Sequence, residues 1–280
     1  MIRSLLLQLL GRRNTWRLGR SLYLAARREL NNAIQENGEA TLIRRAIAAH
    51  RASSAHRVFR AFDIGANLGE WTAEVARFAD GGIDWTVDLF EPVDGSFAHV
   101  SALFADEPRI QCHKAAVSSD VGSAQMVVVG ETSGTNHLSA HAAADVRTIT
   151  VPLTTIAAQM EARDIDRIDL IKIDTEGHDI EILRGLRALL DRRAIGVVQF
   201  EYNWRWLPNK GSLYEVFQLI RDTGYRLARV CPDGLAIFPE WNAELDRYFE
   251  ANYALIAPDM ADAIGAVQLR WEPSNVAVSA

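Results

Sequence analysis

Beyond residue 57 the sequence alternates short apolar runs with stretches of helical periodicity, which restricts the fold more than any other feature. The runs are nearly continuous in apolar residues, as in strands buried on both faces of a sheet. They lie at 58–64, 83–90, 168–173 and 195–200. Helices are predicted between them, at about 70–78, 96–104, 180–190 and 213–222. This order predicts an α/β fold with a doubly wound, mostly parallel sheet.

The N-terminal region has a different composition and charge. Residues 1–60 contain 12 Arg and 3 Glu, whereas the rest of the chain contains 18 Lys and Arg and 33 Asp and Glu. We predict a helical extension at 1–56, a main domain at 57–260 and a C-terminal tail at 261–280. A basic arm on an acidic body indicates either an anionic partner or a helical cap whose arginines face water.

The cellular location of the protein is predicted from its first residues and from its cysteines. The apolar stretch 2–10 is shorter than the roughly 20 residues of a membrane-spanning helix. Gly11-Arg12-Arg13 follows it in place of a small-residue cleavage site, so a signal peptide is not expected. Cys112 and Cys231 form no disulfide framework. We therefore expect a cytoplasmic protein, with peripheral membrane contact through the basic helices as an alternative to simple packing.

A glycine-containing loop, FDIGANLGEWT, follows the first predicted strand at Phe62–Thr72. In doubly wound sheets, ligands bind beyond the carboxyl ends of the strands. Gly65 and Gly69 permit a tight turn and close ligand approach. Asp63 disfavours a pyrophosphate but suits a sulfonium and an α-ammonium. Because the third glycine of the dinucleotide pattern is also absent, the loop favours S-adenosylmethionine over NAD.

Carboxylates follow the other predicted strands. Glu91 comes 22 residues after Gly69, where a carboxylate can accept both ribose hydroxyl hydrogens. Asp174 and Glu176 are two residues apart, so an extended backbone points both to one face. Glu201, after the next strand, is expected to converge on the same cleft. The sequence thus predicts an adenosine-binding cleft with an acidic end.

These segments resemble the FkbM family of methyltransferases. The resemblance lies in FDIGANLGEWT, LFEP, KAAVSSDVG, LIKIDTEGHDIEILRG and VVQFEYN, and it covers about 58–256. It implies a class I methyltransferase fold, which is a Rossmann-like sheet of seven strands with the last antiparallel. It also implies S-adenosylmethionine as methyl donor and a hydroxyl of a sugar, glycan or secondary metabolite as acceptor. The family's G-x-S-S-L is replaced by Gly134-Thr135-Asn136-His137-Leu138, which predicts an unusual acceptor.

The resemblance and the residue types together assign roles to individual positions. The predicted cofactor-binding residues are Asp63, Gly65, Asn67, Gly69, Glu91, Pro92, Ala116, Val117, Ser118 and Asp174. The predicted acceptor-binding residues are Asn136, His137, Glu201, Asn203 and Trp204. An alcohol must lose its proton on methylation, so a general base is expected. The candidates for this base are Asp174, Glu176, His178 and His137.

Three alternatives stay open at this point. Asp174, Glu201 and Asn203 could bind Mg²⁺ through oxygen atoms, although the metal-free interpretation is favoured. The glycine loop also occurs in NAD-dependent oxidoreductases. A non-catalytic protein with a vestigial fold could use its basic helices to bind a membrane or a polymer. Nucleic acid is not an expected partner, because the body is acidic and no N/D-P-P-Y/F-type motif follows the fourth strand.

Overall fold

The computed structural model describes residues 2–27, 33–53, 57–138 and 146–280. Its helices are α1 (Ile2–Ala26), α2 (Glu39–Ala52), α3 (Glu70–Ala79), α4 (Asp94–Leu103), α5 (Ile156–Ala162), α6 (Asp179–Arg184), α7 (Arg187–Asp191) and α8 (Leu213–Leu219), with a 3₁₀ turn at Trp204–Trp206. Its first strands are β1 (Phe59–Ile64), β2 (Trp85–Phe90), β3 (Ile110–His113), β4 (Ala116–Val117), β5 (Gly122–Val127), β6 (His137–Leu138) and β7 (Thr148–Thr154). The later strands are β8 (Ile168–Ile173), β9 (Ile195–Tyr202), β10 (Arg226–Cys231), β11 (Gly234–Ile237), β12 (Ala251–Ile256), β13 (Val267–Trp271) and β14 (Ala277–Ser279).

The main sheet confirms the predicted fold class. Its order is β14-β13-β11-β10-β12-β9-β8-β1-β2-β3. Strands β3, β2, β1, β8 and β9 are parallel neighbours, and β12 runs antiparallel to both β9 and β10. Strand order reverses between β1 and β8, so the carboxyl ends of these two strands form the crevice where such sheets bind ligands. Strands β11, β13 and β14 widen the sheet beyond the seven strands implied by the resemblance.

A small second sheet lies beside that crevice. Its order is β4-β7-β5-β6, and β5 pairs antiparallel with β7. One continuous strand was predicted over 109–117. The chain instead leaves the main sheet after β3 and pairs β4 with β7. This break carries Ala116 and Val117 away from the main sheet and to the wall of the crevice.

Helix α2 is part of the core. Leu42, Ile43, Ala46 and Ile47 are at most 1% exposed and form one apolar stripe, which packs with residues of β1, β8 and β10. Burying each of the larger side chains contributes about 1.5–3 kcal/mol. Helices α6, α7 and α8 pack on the opposite face with a second cluster. The sheet is therefore covered on both faces, as its apolar strands require.

Helix α1 contrasts with α2, because most of its side chains are exposed. Its backbone leaves helical geometry at Gly11, where φ is 68° and ψ is 164°. Among the described residues, no helix is both long enough and apolar enough to cross a membrane. The domain boundaries predicted after residues 56 and 260 stay predictions. Helix α2, before the first boundary, packs on the main sheet, and β13, after the second, pairs with β11 of that sheet.

Candidate active site

A cleft opens at the carboxyl edge of β1, β2 and β8, and it has two connected parts. The first part, the apolar half, has an empty volume of about 530 Å³ including its open side. Its lining includes Phe90, Val93, Val117, Met126 and Leu138. The second part, the acidic half, has about 1000 Å³ of empty volume. Its ionisable lining residues are Glu39, Glu70, Lys172, Asp174, Glu176 and Glu201.

The two halves meet at Gly65, which lines both. Its φ is +80°, and a Cβ at this position would overlap the carbonyl oxygen of Asp174. The backbone around it is fixed on two sides, because Gly65 N donates to Phe90 O at 3.0 Å and Asp174 N donates to Ile64 O at 2.9 Å. Only glycine combines this conformation with so close a backbone approach. The predicted loop glycine thus joins the ends of three strands.

Asp63 lies behind the cleft wall rather than on it. Its side chain is fully buried, and Thr72 Oγ1 donates to its Oδ2 at 2.7 Å, which ties the start of α3 to β1. Burial raises the pKa of Asp63, while the nearby Lys172 ammonium lowers it. Gly69 is the N-cap of α3 with φ +80°, and the side chains of Phe104 and Val100 leave no room for a Cβ. Both predicted cofactor residues therefore shape the loop from behind.

Glu91 is held at the edge of the apolar half. Its Oε2 accepts from Asn67 N and its Oε1 accepts from Val93 N, both at 2.9 Å. Burial raises the pKa of Glu91 to about 7 despite these two hydrogen bonds. Each carboxylate oxygen keeps a second acceptor site, so Glu91 can still accept two hydroxyl hydrogens. Asn67, Glu91 and Pro92 all line this half, as predicted.

His178 is the N-cap residue of helix α6, beside the apolar half. It lines only this half, and its Nε2 is 2.9 Å from Ser118 Oγ. Burial lowers the pKa of His178 to about 4, so the ring is neutral at pH 7 and a weak base. Ala116 and Val117 line the same region. The geometry therefore associates His178 and Ser118 with the residues predicted to contact adenine.

Asp174 and Glu176 both line the two halves, although the extended backbone from which this was predicted ends at Ile173. Glu176 has φ 56°, next to Gly177 at φ 100°, so the turn departs from strand geometry. Burial and the Asp174 carboxylate together raise the pKa of Glu176 to about 7, although the Arg205 guanidinium at 2.9 Å lowers it. Burial also raises the pKa of Glu201 well above its usual range. These carboxyl groups form one wall of the cleft.

Several lining residues were missed by the sequence reasoning, among them Lys172 and Glu39. Lys172 lies on β8, and its Nζ is 3.2 Å from Asp174 Oδ2 and 4.0 Å from Glu39 Oε2. Glu39 begins α2, in the segment predicted to be a separate extension. A lysine inside a largely apolar, buried strand is a signal that could have identified Lys172. Nothing near Glu39 in the sequence indicates that it lines the cleft.

Three predicted acceptor residues are not brought into the cleft. His137 and Trp204 line neither half, and Trp204 is 58% exposed. Asn203 also lines neither half, because its Oδ1 accepts from Arg205 N and its Nδ2 donates to Glu201. Asn136 does line the apolar half, but its amide oxygen accepts from Val129 N and its amide nitrogen donates to Gly130 O.

The alternative Mg²⁺ site is therefore not assembled as predicted. Asn203 was its third ligand, and its amide oxygen caps the 3₁₀ turn at Trp204–Trp206 instead. Within 2–27, 33–53, 57–138 and 146–280, no group of three or more His, Cys, Asp or Glu residues is arranged to hold a metal ion.

Solved methyltransferase structures are similar to this chain at low identity. The methyltransferase FkbM from Methylobacillus flagellatus KT has 16% identity and a TM-score of 0.42, and the match covers 75% of this chain and 47% of that one. The chain thus spans about half of that protein's length. The O-methyltransferase from Bacillus cereus in complex with SAH has 11% identity and a TM-score of 0.40, covering 84% of this chain and 87% of that one. With TM-scores this low, we draw no functional argument from these structures.

Sequence comparison gives the stronger finding. No curated protein matches the chain. A family model described as the methyltransferase FkbM domain matches residues 63–227, which is more than half of the chain and includes Gly65, Glu91, Asp174 and Glu176. The chain therefore belongs to the FkbM methyltransferase family, as its motifs predicted.

Proposed function

We propose that the chain transfers the methyl group of S-adenosylmethionine to a hydroxyl oxygen of a sugar, glycan or similar metabolite. The observation that carries the proposal is the division of the cleft. An apolar half with a carboxylate at its edge adjoins an acidic half, and the two meet at Gly65. These are the surfaces needed by an adenosine joined to a positively charged sulfur.

The apolar half fits an adenosine. Val93, Val117, Met126 and Leu138 offer flat, apolar contact for a purine. Glu91 offers acceptor positions for the two ribose hydroxyls, and its backbone hydrogen bonds fix its orientation. Charged acceptors form stronger hydrogen bonds than neutral ones, so this carboxylate is expected to supply much of the affinity.

The acidic half favours a sulfonium over a dinucleotide. Its lining contains five carboxyl groups and one lysine. A pyrophosphate would lie against this excess of acidic groups, whereas a sulfonium and an α-ammonium would be stabilised by it. The electrostatics therefore support S-adenosylmethionine and argue against the alternative of an NAD-dependent oxidoreductase.

Glu176 is the residue best suited to accept the proton of the hydroxyl acceptor. It lies where the two halves meet, and its pKa of about 7 makes it a stronger base than an ordinary carboxylate at neutral pH. His178 is less suited, since burial makes it a weak base and it lines only the apolar half. General-base catalysis of this kind contributes roughly 10²–10⁴-fold to a rate.

The rest of the rate acceleration comes from orientation. S-adenosylmethionine supplies a methyl group on a good leaving group, so the protein need not form a covalent bond to substrate. The Gly65 turn and Glu91 hold one reactant, and Glu176 orients the hydroxyl of the other. Correct alignment of two reactants can lower a barrier by up to roughly 7–11 kcal/mol.

Calorimetry tests the choice of cofactor. We expect the wild-type chain to bind S-adenosylhomocysteine with micromolar affinity and not to bind NAD. Binding of NAD, or of neither compound, would contradict the proposal. A chain that binds neither compound would favour the alternative of a vestigial fold.

Labelled methyl transfer tests the acceptor class. The chain is incubated with methyl-labelled S-adenosylmethionine and a panel of mono- and oligosaccharides, hydroxylated metabolites, amines and RNA. We expect label in acid- and base-stable methyl ethers of hydroxylated compounds, with or without EDTA. The variant Glu176→Gln should lose roughly 10²-fold or more of this activity while binding S-adenosylhomocysteine normally. Label on nitrogen would overturn the proposal of O-methylation. Activity that requires Mg²⁺ would overturn the proposal that the reaction needs no metal ion.

A further inference from the structure

We propose that Lys172 binds the α-carboxylate of the cofactor's amino-acid end, and that Glu39 of helix α2 is the residue that positions Lys172 for this contact. The inference rests on the proposed function, because it requires S-adenosylmethionine or its product in the cleft. It adds to that function a binding contact on β8 and a positioning residue from the chain upstream of the matched family domain, which begins at residue 63.

Lys172 has the charge and the location for this contact. Of the described residues that line the acidic half, it is the basic one. Its register partner on β1 is Asp63, so it lies beside the loop that joins the two halves of the cleft. Its side chain is 14% exposed and lines the acidic half. An amino-acid carboxylate that enters this half would have Lys172 as its opposite charge.

The surrounding carboxylates keep Lys172 charged. Burial lowers the pKa of Lys172, but the carboxylates of Asp174, Glu39 and Asp63 raise it above its ordinary value. The ammonium lies between Asp174 Oδ2 at 3.2 Å and Glu39 Oε2 at 4.0 Å. With three hydrogens to donate and two flanking carboxylates, it retains capacity for a third acceptor.

Glu39 is fixed more firmly than a residue at the start of a helix usually is. It is 6% exposed, and Gln199 Nε2 on β9 donates to its Oε2 at 2.6 Å. Its Oε1 accepts from Asn37 Nδ2 at 2.6 Å and from Asn252 Nδ2 on β12 at 3.3 Å. These partners come from the loop before α2 and from two strands of the main sheet. The carboxylate is therefore a preorganised partner for Lys172 rather than a mobile surface group.

Comparing two ligands distinguishes binding of the cofactor's amino-acid end from binding of its adenosine. S-adenosylhomocysteine has both parts, whereas 5′-methylthioadenosine has the adenosine and the sulfur without the amino acid. We expect Lys172→Met to weaken S-adenosylhomocysteine at least about tenfold and to change 5′-methylthioadenosine less than about twofold. The control is Lys172→Arg, which keeps the positive charge and should retain most of the affinity for S-adenosylhomocysteine. If it binds, the loss in Lys172→Met is not caused simply by a change of side chain at this position.

The positioning role of Glu39 has its own measurement. Glu39→Gln should weaken S-adenosylhomocysteine about threefold to tenfold and spare 5′-methylthioadenosine. Combined with Lys172→Met it should add nothing, because its effect acts through the lysine. The matched control is Glu36→Gln, at an exposed glutamate three residues earlier, which should leave both affinities unchanged.

The outcomes distinguish a failure of the roles assigned to Lys172 and Glu39 from a failure of the proposed function. Equal loss of both ligands in Lys172→Met, or no loss of either, overturns the assignment of Lys172. Additive effects of the two substitutions overturn the positioning role of Glu39. A wild-type chain that binds neither ligand refutes the proposed function itself, and the inference with it.

A second inference rests on helix α1, independently of the cleft. We propose that α1 lies on the surface of an anionic lipid bilayer. The helix carries Arg3, Arg12, Arg13, Arg17 and Arg20 and no acidic residue. Its exposed large apolar side chains are Leu5, Leu7, Leu9, Leu10, Trp16, Leu18, Leu22 and Tyr23.

This combination fits a lipid surface better than another polyanion. Arginines bind lipid phosphates, and apolar side chains between them can enter the acyl boundary, whereas a nucleic acid would leave those side chains in water. The helix is attached to the body near its end, where Tyr23 Oη donates to Glu244 Oε2 at 2.7 Å and Arg27 Nη1 donates to Glu244 O at 2.6 Å. The preceding turns remain exposed for contact.

Vesicle flotation tests this surface. We expect the chain to float with phosphatidylcholine vesicles that contain about a third phosphatidylserine and not with phosphatidylcholine alone. Replacing Leu5, Leu9 and Trp16 by Ser should abolish flotation, while Leu103→Ser on the exposed side of α4 should not. No flotation of the wild type, or dimerisation in ultracentrifugation that the triple substitution abolishes, would overturn the proposal.

Discussion

The two halves of the cleft are built in different ways. The apolar half takes most of its lining from one stretch of chain, between Ile64 and Leu138, with a second contribution from Asp174 to His178. The acidic half combines the start of α2, the Gly65 loop, the ends of β8 and β9, and Asn252 on β12. The first is a set of consecutive strand ends, and the second is an assembly of distant segments.

This difference separates what the family provides from what the chain adds. Every residue that lines the apolar half falls within the matched family domain. The acidic half also uses Ile34, Glu39 and Asn252, which lie outside that domain. The proposed adenosine contacts thus all lie within the matched family domain, whereas the proposed site of the amino-acid end also uses residues from the segments that flank it.

The largest expected effect removes the junction between the halves. Gly65→Ala forces a left-handed backbone on alanine and places its Cβ against the Asp174 carbonyl. We expect a loss of about 3 kcal/mol or more in the free energy of unfolding, measured by urea denaturation, and loss of binding in both halves. The control is Gly81→Ala, which has φ +75° but open space around it and should lose only about 1 kcal/mol. Equal losses would show that the close backbone approach is unimportant.

The next effect is confined to the apolar half. Glu91→Ala removes the carboxylate expected to hold the ribose, which should weaken S-adenosylhomocysteine about 100-fold. Because the loss concerns the adenosine, 5′-methylthioadenosine should be weakened by the same factor. Calorimetry with both ligands gives the comparison, with Lys172→Met as the variant expected to affect only one of them. Selective loss of S-adenosylhomocysteine in Glu91→Ala would reverse our assignment of the halves.

A smaller effect is expected from pH. Burial raises the pKa of Glu91 to about 7, so near pH 6 most of these side chains are protonated and cannot accept two hydroxyl hydrogens. If binding requires the carboxylate, affinity should rise about tenfold between pH 6 and pH 8, the ratio of the deprotonated fractions. Calorimetric titration across this range measures it, and 5′-methylthioadenosine should behave alike. The variant Glu91→Gln should bind weakly, with an affinity that does not change with pH. If its affinity still rises between pH 6 and pH 8, another titrating group is responsible.

The smallest effect tests where the acidic half ends. Asn203→Ala removes the cap of the 3₁₀ turn and a hydrogen bond to Glu201, which should lower the free energy of unfolding by about 1–2 kcal/mol. Since Asn203 lines neither half, affinity for S-adenosylhomocysteine should stay within about twofold. Urea denaturation and calorimetry check the two parts. A large loss of affinity with unchanged stability would return Asn203 to the binding residues.

The apolar half could be predicted because local sequence determines it. A glycine loop after a buried strand and an acid after the next strand have fixed places in a doubly wound sheet. Gly65, Asn67 and Glu91 accordingly lie where the motifs predicted. Even here the sequence did not show that Asp63 faces away from the cleft, because the side chain's direction depends on how α3 packs.

The acidic half could be predicted only in part. The spacing of Asp174 and Glu176 indicated one wall correctly. Glu39 could not be found, because its place depends on α2 packing against a sheet whose strands are far away in sequence. His137, Asn203 and Trp204 were assigned from nearby motifs, but His137 Nδ1 contacts the carbonyl of Thr135 and Asn203 caps the 3₁₀ turn that contains Trp204. Long-range packing, rather than residue type, decides these positions.

The hydrogen bond from Asn252 to Glu39 joins residues 213 positions apart, and this has a consequence for synthesis. Glu39 leaves the ribosome long before β12 exists, so the acidic half cannot be complete until nearly the whole chain has been made. A nascent chain could form the Gly65 loop early and still lack the partners that hold Glu39 in place. A ligand that needs this half would then bind only finished molecules and stabilise them by mass action.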